Sequence, residues 1–179
     1  MSKAIFPPGT VAGHMSEIVQ TGSQWRTFVH CSDNKIHQLV RDANALDYQN
    51  NVVPGPIPMR NSPVAVICWG VEVLHASVSS SYPSEILMNL QTRIYYFTDE
   101  LKVQEMDWDS NIRHYFEAGP TLGDVMEGSI ALYAQVDADG DTLAEIRVGY
   151  QSPSNPETIT ESYYTFSTGW RTRIYHNEM

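Results

Sequence analysis

Apolar and polar residues alternate with a period of two in several stretches of the chain, most clearly between Thr92 and Ser110. Ile94, Tyr95, Tyr96 and Phe97 are β-branched or aromatic, the side chains that suit a pleated, half-buried surface. Thr98-Asp99-Glu100 is polar and can turn. Val103, Glu105 and Asp107 then alternate with Gln104, Met106 and Trp108. The pattern predicts a hairpin with Arg93 on one strand and Glu105 on the other, twelve positions later (105 − 93 = 12). A turn near Asp99 brings the two together on a surface that also holds aromatic rings.

The same design recurs twice. Glu145 to Gln151 followed by Thr158 to Tyr164 repeats it, with Arg147 and Glu161 fourteen apart (161 − 147 = 14) and a longer turn over Ser152 to Pro156. Gln24 to His30 followed by Lys35 to Val40 repeats it again, with Gln38 in place of the acid, twelve after Arg26 (38 − 26 = 12). Apolar strands precede two of these hairpins: Ser62 to Trp69 and Ser129 to Val136. The arginines are separated by 67 and 54 residues (93 − 26 and 147 − 93), a difference of 13. The distances from Ser62 to Arg93 and from Ser129 to Arg147 are 31 and 18, again differing by 13. One insertion of that size between Trp69 and Leu90 accounts for both, and it is expected to project as an extra hairpin or loop.

Other elements follow from local signals. Met15 to Gln20 reads as a strand, and Leu46 to Val53 as a fourth strand of the first unit. Pro54-Gly55-Pro56-Ile57-Pro58 excludes a helix there. Gly70 is read as ending the strand before it, with Val71 to Ala76 another strand. Ser84 to Leu90 is open between a helical turn and a strand. Ile112 to Phe116 closes the second unit, Glu117 to Gly128 is read as a loop around Gly119-Pro120, and Gly169 to Tyr175 is the last strand. The expected fold class is all-β: a β-propeller-like array of about three four-stranded blades. It forms a single β-repeat domain over 1–179, with approximate blades 9–53, 54–119 and 120–179. Propellers typically need about four to eight blades to close, so the ring is expected to be completed by oligomerisation, most simply as a dimer.

Composition narrows the function. The 179-residue chain is 42% hydrophobic and 18% charged, which allows a core. A net charge of −10 repels phosphate backbones and anionic lipid surfaces, so neither nucleic acid nor membrane insertion is expected. The N-terminal residues lack an apolar signal-peptide core, which predicts a soluble protein, cytoplasmic or exported by a non-classical route. Cys31 and Cys68 read as buried thiols. Asp137 to Asp141 resembles a calcium loop only in outline; Thr142 and Val148 stand where such a loop needs Gly and Glu, so an Asp-Gly turn is the better reading. The six histidines show no metal spacing, although His30 and His37 could meet across the first hairpin. No nucleophile elbow, P-loop or dinucleotide fingerprint occurs. No catalytic residue, metal site or cofactor is expected.

The elements Ile146-Arg147-Val148-x-Tyr150-Gln151, then Ile159-x-Glu161 with aromatics, then Gly169-Trp170, resemble the blade repeat of the fungal fucose-specific lectins, six-bladed propellers whose short bacterial relatives oligomerise. The resemblance spans about Gly9 to Tyr175 and is best in the third unit. It implies sugar pockets between adjacent blades: an arginine and a glutamate from one blade bind hydroxyls, and an aromatic ring from the next stacks on the sugar. It implies the pairs Arg93 with Glu105 and Arg147 with Glu161, and an aromatic wall of Trp170 with Tyr163 nearby. Arg26 is present without its acid, and Trp108 lies closer to Glu105 than a wall residue does. The implied partners are glycans or glycoproteins, with a neutral monosaccharide such as L-fucose bound without catalysis. The residue types suit that chemistry, since arginine offers a rigid fork of donors and a carboxylate offers paired acceptors. A single such pair is more ordinarily a cross-strand salt bridge worth about 0.2–1 kcal/mol. Two alternatives stay open: a small-ligand β-barrel or sandwich, catalytic or not, with coincidental repeats, and a propeller scaffold for protein contacts whose sugar sites have decayed.

Overall fold

The computed structural model describes residues 15–21, 24–42, 45, 47–74, 86–110 and 115–175. Its strands are β1 Met15–Thr21, β2 Gln24–His30, β3 Ile36–Asp42, β4 Gln49–Val52, β5 Val64–Leu74, β6 Ile86–Phe97, β7 Lys102–Asp109, β8 Glu117–Asp124, β9 Leu132–Asp139, β10 Thr142–Ser152, β11 Asn155–Thr165 and β12 Gly169–Ile174. They form three antiparallel four-stranded meanders, β1-β2-β3-β4, β5-β6-β7-β8 and β9-β10-β11-β12. The first strands of successive meanders lie side by side, β1 against β5 and β5 against β9. That is the blade arrangement of a propeller, and no described residue is in a helix.

Two apolar layers hold the three sheets together. Phe28, Ile36 and Val53 meet Val64, Val66, Ile94, Tyr96, Met106 and Phe116 between the first and second sheets. Ala65, Ile67, Trp69, Tyr95, Phe97 and Val103 meet Ile146, Val148 and Tyr150 between the second and third. The period of two explains how β6 serves both layers: Ile94 and Tyr96 point one way, Tyr95 and Phe97 the other, and all four are at most 1% exposed. A strand buried on both faces needs a continuous apolar run, which Ile94 to Phe97 supplies. Each such side chain contributes roughly 1.5–3 kcal/mol of transfer free energy.

The linkers repeat as well. The Met59 N–H donates to Phe97 O and the Met126 N–H to Gln151 O, while Ser62 N–H and Ser129 N–H close matching turns onto Met59 O and Met126 O. Asn61 and Gly128 carry the left-handed φ values of 61° and 78° in those turns. Met59 and Met126 are 67 apart (126 − 59), whereas Phe97 and Gln151 are 54 apart (151 − 97), which reproduces the 13-residue insertion in hydrogen bonds. The insertion is a hairpin, because the β5–β6 ladder continues to Leu74 opposite Ile86. Its polar tip, including Ser77 to Ser81, lies outside the described residues.

Several boundaries differ from expectation. Gly70 does not end a strand: β5 runs through it, and its N–H donates to Gly140 O of the third sheet. The segment read as a loop at Glu117 is β8, so the second sheet extends past residue 119 to Asp124. Pro120 is compatible with that strand because β8 is an edge with irregular register against β7. Ser84 to Leu90 contributes to β6, whose backbone is described from Ile86. Residues 111–114, part of the expected closing strand, lie outside the described residues. His30 and His37 do not meet: His30 contacts Asn34 and Ser62 O, and His37 contacts Asp33 and Asn50. They occupy opposite faces because His37 stands opposite Val29, one position before His30. Cys31 is buried and Cys68 half-buried, and the two are not joined in a disulfide. Among the described residues no helix is long and apolar enough to cross a membrane.

Candidate functional site

Strand register makes the three Arg hairpins equivalent. In each, the residue on the third strand stands opposite the position two beyond the arginine: Glu105 opposite Tyr95, Glu161 opposite Gly149, Gln38 opposite Phe28. Arginine and acid are therefore diagonal neighbours on one face. The spacings of twelve and fourteen describe the same geometry; the longer turn and a register shift between Tyr150 and Ser152 absorb the difference.

Arg93 and Glu105 face the third sheet. Arg93 Nε lies 4.0 Å from Glu105 Oε1. The guanidinium is steadied by Trp69, 5.1 Å from its ring centroid, and its Nη1 donates to Gln91 Oε1, Thr92 O and Trp108 O. Glu105 is 5% exposed, and its Oε2 accepts a 2.7 Å bond from the Tyr95 hydroxyl. Burial pushes the Glu105 carboxyl above the usual range, against the pull of Tyr95 and Arg93. Burial also drives the Tyr95 hydroxyl well up, with the Glu105 charge adding to it, so tyrosine donates and the carboxylate accepts. Trp170 reaches in from β12: its ring meets Tyr95 edge-on at 6.5 Å and leans on Tyr164 at 5.6 Å. Gly119 of β8 lies against the carboxylate, where a Cβ would stand 2.6 Å from Glu105 Oε1. The glycine lets β8 pack directly against the buried carboxylate. The interface thus brings together a cation, a buried carboxylate and, packed on Tyr95, an indole from the neighbouring sheet.

The third hairpin is wired differently. Arg147 does not bind Glu161; its Nε donates to Glu145 Oε2 at 2.8 Å. Glu161 is held instead by Arg173, whose Nε donates to Oε1 at 2.7 Å. Tyr175 donates to the same oxygen at 3.2 Å, and Tyr133 donates to Oε2 at 2.7 Å. Glu161 faces Arg173 directly across β11–β12, a nearer partner than the diagonal Arg147. Gly149 leaves room for the Tyr133 ring, which lies 2.0 Å from where a Cβ would be. Tyr133 thereby does for Glu161 what Tyr95 does for Glu105, from a different strand. Tyr163 is not beside Trp170. Successive residues of β11 point to opposite faces, so Tyr164 packs on Trp170 while Tyr163 lies under the Arg173 guanidinium, 4.7 Å from its ring centroid.

The first hairpin is covered by the second sheet. Arg26 lies over Trp108 at 4.7 Å from the ring centroid. Trp69 has no counterpart there: it pairs with the position two before Arg93, whereas the position two before Arg26, Gln24, pairs with Thr21. Gln38 replaces the carboxylate and Phe28 the hydroxyl-bearing ring, and the Gln38 Nε2 is buried without a hydrogen-bond partner. Trp108 therefore belongs to the cleft between the first and second sheets, across the second sheet from Glu105.

Sequence reasoning missed Phe116. Phe116 and Trp170 both continue the fourth strand beside an aromatic on the third, Trp108 and Tyr164. Phe116 meets Phe28 edge-on at 5.8 Å, as Trp170 meets Tyr95. Arg173 and Tyr133 were also missed: one lies on an edge strand beside Arg171 and Thr172, residues of similar pattern, the other in an apolar run. A search for charged residues directly opposite Glu161 would have found the first.

No family model matches the chain, and no curated protein matches its sequence. Solved structures resemble it in fold. A mutant of the Aleuria aurantia lectin AAL in complex with Fucalpha1-6GlcNAc aligns with a TM-score of 0.67 at 20% identity, over 93% of this chain and 50% of that one. A triple arginine-to-alanine mutant of AofleA from Arthrobotrys oligospora aligns with a TM-score of 0.64 at 20% identity, over 89% of this chain and 40% of that one. The SapL1 lectin in complex with alpha methyl fucoside aligns with a TM-score of 0.60 at 19% identity, over 89% and 44%. The chain spans half or less of the length of these structures, and it shares the fold of the fungal fucose-specific lectins.

Proposed function

We propose that the chain is a carbohydrate-binding lectin whose cleft between the second and third sheets takes a neutral monosaccharide, L-fucose first among candidates, without catalysis. The observation that carries this reading is the 4.0 Å gap between Arg93 Nε and Glu105 Oε1, on the face where Tyr95 meets Trp170 of the next sheet. A sugar hydroxyl oxygen placed about 2.8 Å from each would accept from the guanidinium and donate to the carboxylate. Both charged groups are already held, Arg93 by Trp69 and three acceptors, Glu105 by Tyr95, so little ordering is lost on binding. Their charges balance, which favours an uncharged ligand. The indole supplies an apolar face for the C–H side of a pyranose ring. Fucose comes first because AAL and SapL1 are described with fucose-containing ligands. Affinity at a single site is weak, and glycans or glycoproteins are bound usefully when several sites share one assembly.

Titration of the protein with L-fucose, mannose and galactose, followed by tryptophan fluorescence, tests the reading. A saturable change is expected with fucose. Flat traces with all three sugars up to millimolar concentration would leave the contact-scaffold alternative, which the Arg26–Trp108 contact between the first and second sheets already favours for the first hairpin.

A further inference from the structure

A groove of about 580 Å³ opens on the third sheet. Strand β9 supplies Leu132 and Tyr133 to it, β11 supplies Pro156 to Ile159, and Tyr175 follows β12. Ile159 is 45% exposed and Tyr175 42% exposed. We propose that this groove binds a small soluble molecule carrying a quaternary ammonium group, with the methylated cation against the rings of Tyr133 and Tyr175 and its charge answered by Glu157.

The two rings are held before any ligand arrives. Tyr133 donates to Glu161 Oε2 at 2.7 Å, and Tyr175 donates to Oε1 of the same carboxylate at 3.2 Å. Glu161 is itself 2% exposed and fixed by Arg173, so little ordering is lost on binding. A phenol whose O–H donates to a carboxylate is polarised toward a more negative ring, and a ring face attracts a cation through that negative charge. Burial, with the Glu161 charge adding to it, pushes the Tyr133 hydroxyl up, so it stays a donor. The cluster already accepts one cation: the Arg173 guanidinium lies 5.4 Å from the Tyr175 centroid and 4.7 Å from that of Tyr163.

The polar side chains of the groove select the kind of cation. The Thr158 hydroxyl donates to Tyr175 O, the Gln151 amide donates to Pro156 O, and both phenols donate to Glu161. With these groups engaged, the walls present ring faces and hydrocarbon. A primary ammonium carries three donors that would lose water there, whereas a quaternary ammonium has none to satisfy. Among the described residues that line the groove, Glu157 alone is charged, and it is exposed. The net charge of −10 on the whole chain favours the same sign of ligand. None of these residues belongs to the Glu105 cleft, so the proposal does not rest on the sugar reading.

Calorimetric titration of the full chain with choline, and with the neutral dimethylbutanol in which carbon replaces its nitrogen, tests the proposal. Choline should saturate in the millimolar range, and the neutral isostere should bind at least about tenfold more weakly, because it fills the same space without the charge. Tyr175→Leu keeps apolar bulk and removes the ring, and Glu157→Gln removes the carboxylate; each should weaken choline about three- to tenfold. Circular dichroism checks that both variants keep the native fold. Should Tyr175→Leu fail to fold, Ile159→Lys replaces it, since a cation set in the groove should abolish choline binding. Glu100→Ala, in a turn of the second sheet, should leave it unchanged. A wild type that gives no heat with choline up to about 20 mM overturns the proposal, whether the groove is unsuited or is sealed by a second copy. So does an isostere that binds as tightly as choline, or choline affinity that survives both groove variants. L-fucose titrated into the same variants reads the Glu105 cleft separately, so the failure of one result does not mimic the failure of the other.

Discussion

Replacing Glu105 by glutamine should separate binding from stability. Glu105 is 5% exposed and its carboxyl is raised above the usual range chiefly by burial, so its charge is a net cost to the fold at neutral pH. Glutamine keeps an oxygen for the Tyr95 hydroxyl and removes that cost, at the expense of the attraction to Arg93 across 4.0 Å. The variant should be within about 1 kcal/mol of the wild type or more stable, an ordinary range for a substitution that leaves no buried group bare. Binding should suffer. A hydrogen bond to a charged partner is worth about 1.5–3 kcal/mol, which is roughly a 10- to 150-fold loss of affinity. The pH dependence follows from the same shift. Between the usual carboxylate range and the raised value, the folded state holds more protons than the unfolded state, so this group's contribution to stability falls as pH rises through that window. The stability difference between variant and wild type should therefore be absent at low pH and grow across the window, while wild-type sugar affinity drops on acidification sooner than an ordinary carboxylate would cause. Urea denaturation at several pH values, with calorimetric titration of fucose on both proteins, measures all three. A variant that loses several kcal/mol of stability at neutral pH, or one that binds fucose as tightly as the wild type, would refute the reasoning.

Glu161→Gln should behave in the opposite way, destabilising the fold by about 1.5 kcal/mol or more because Arg173 loses its nearer charged partner and keeps only Glu145 at 3.9 Å. At this chain length that is roughly 3–6 °C in Tm by calorimetry, and affinity at the Glu105 cleft should be unchanged. Trp170→Ala should remove the stacking face and the edge contact with Tyr95, weakening fucose binding at least tenfold by titration, with about 1–3 kcal/mol of stability lost by denaturation since the ring is only half-buried. Gly119→Ala should push a methyl group toward Glu105 Oε1 and lower affinity by calorimetry while circular dichroism stays native. Deletion of Ser77 to Ser81 should leave soluble expression and fucose binding intact, since the hairpin ladder below it ends at Leu74 and Ile86.

The all-β class, the three four-stranded units and the 13-residue insertion were legible because alternation with a period of two, together with the arginine spacing, is a direct imprint of strand pairing. The edge strand β8 was not: with Gly119, Pro120 and Gly123 it carries turn residues, and only its position at the border of a sheet makes them tolerable. The same loss hid Phe116, which precedes that strand. At the site, Arg93 and Glu105 were readable as neighbours because they share a hairpin, whereas Trp170, on a strand of the next sheet, was reached only through the family resemblance. Arg147 and Glu161 looked identical to them, yet Arg173, Tyr175 and Tyr133 from other strands take both oxygens of Glu161, whereas Tyr95 takes one of Glu105. Such partners are set by register across the third and fourth strands, which hairpin spacing does not encode. Trp108 shows the same limit, since its nearness to Glu105 in sequence puts it on the opposite face of the sheet.

The central claim is that the second and third sheets together form a sugar site. A crystal structure of the protein soaked with alpha methyl fucoside tests it most directly. The account predicts a pyranose stacked on Trp170 with one hydroxyl between Arg93 Nε and Glu105 Oε1. A fucoside found instead on the Tyr133 and Glu161 face, or a cleft at Glu105 that stays empty while the ligand binds elsewhere, would contradict it.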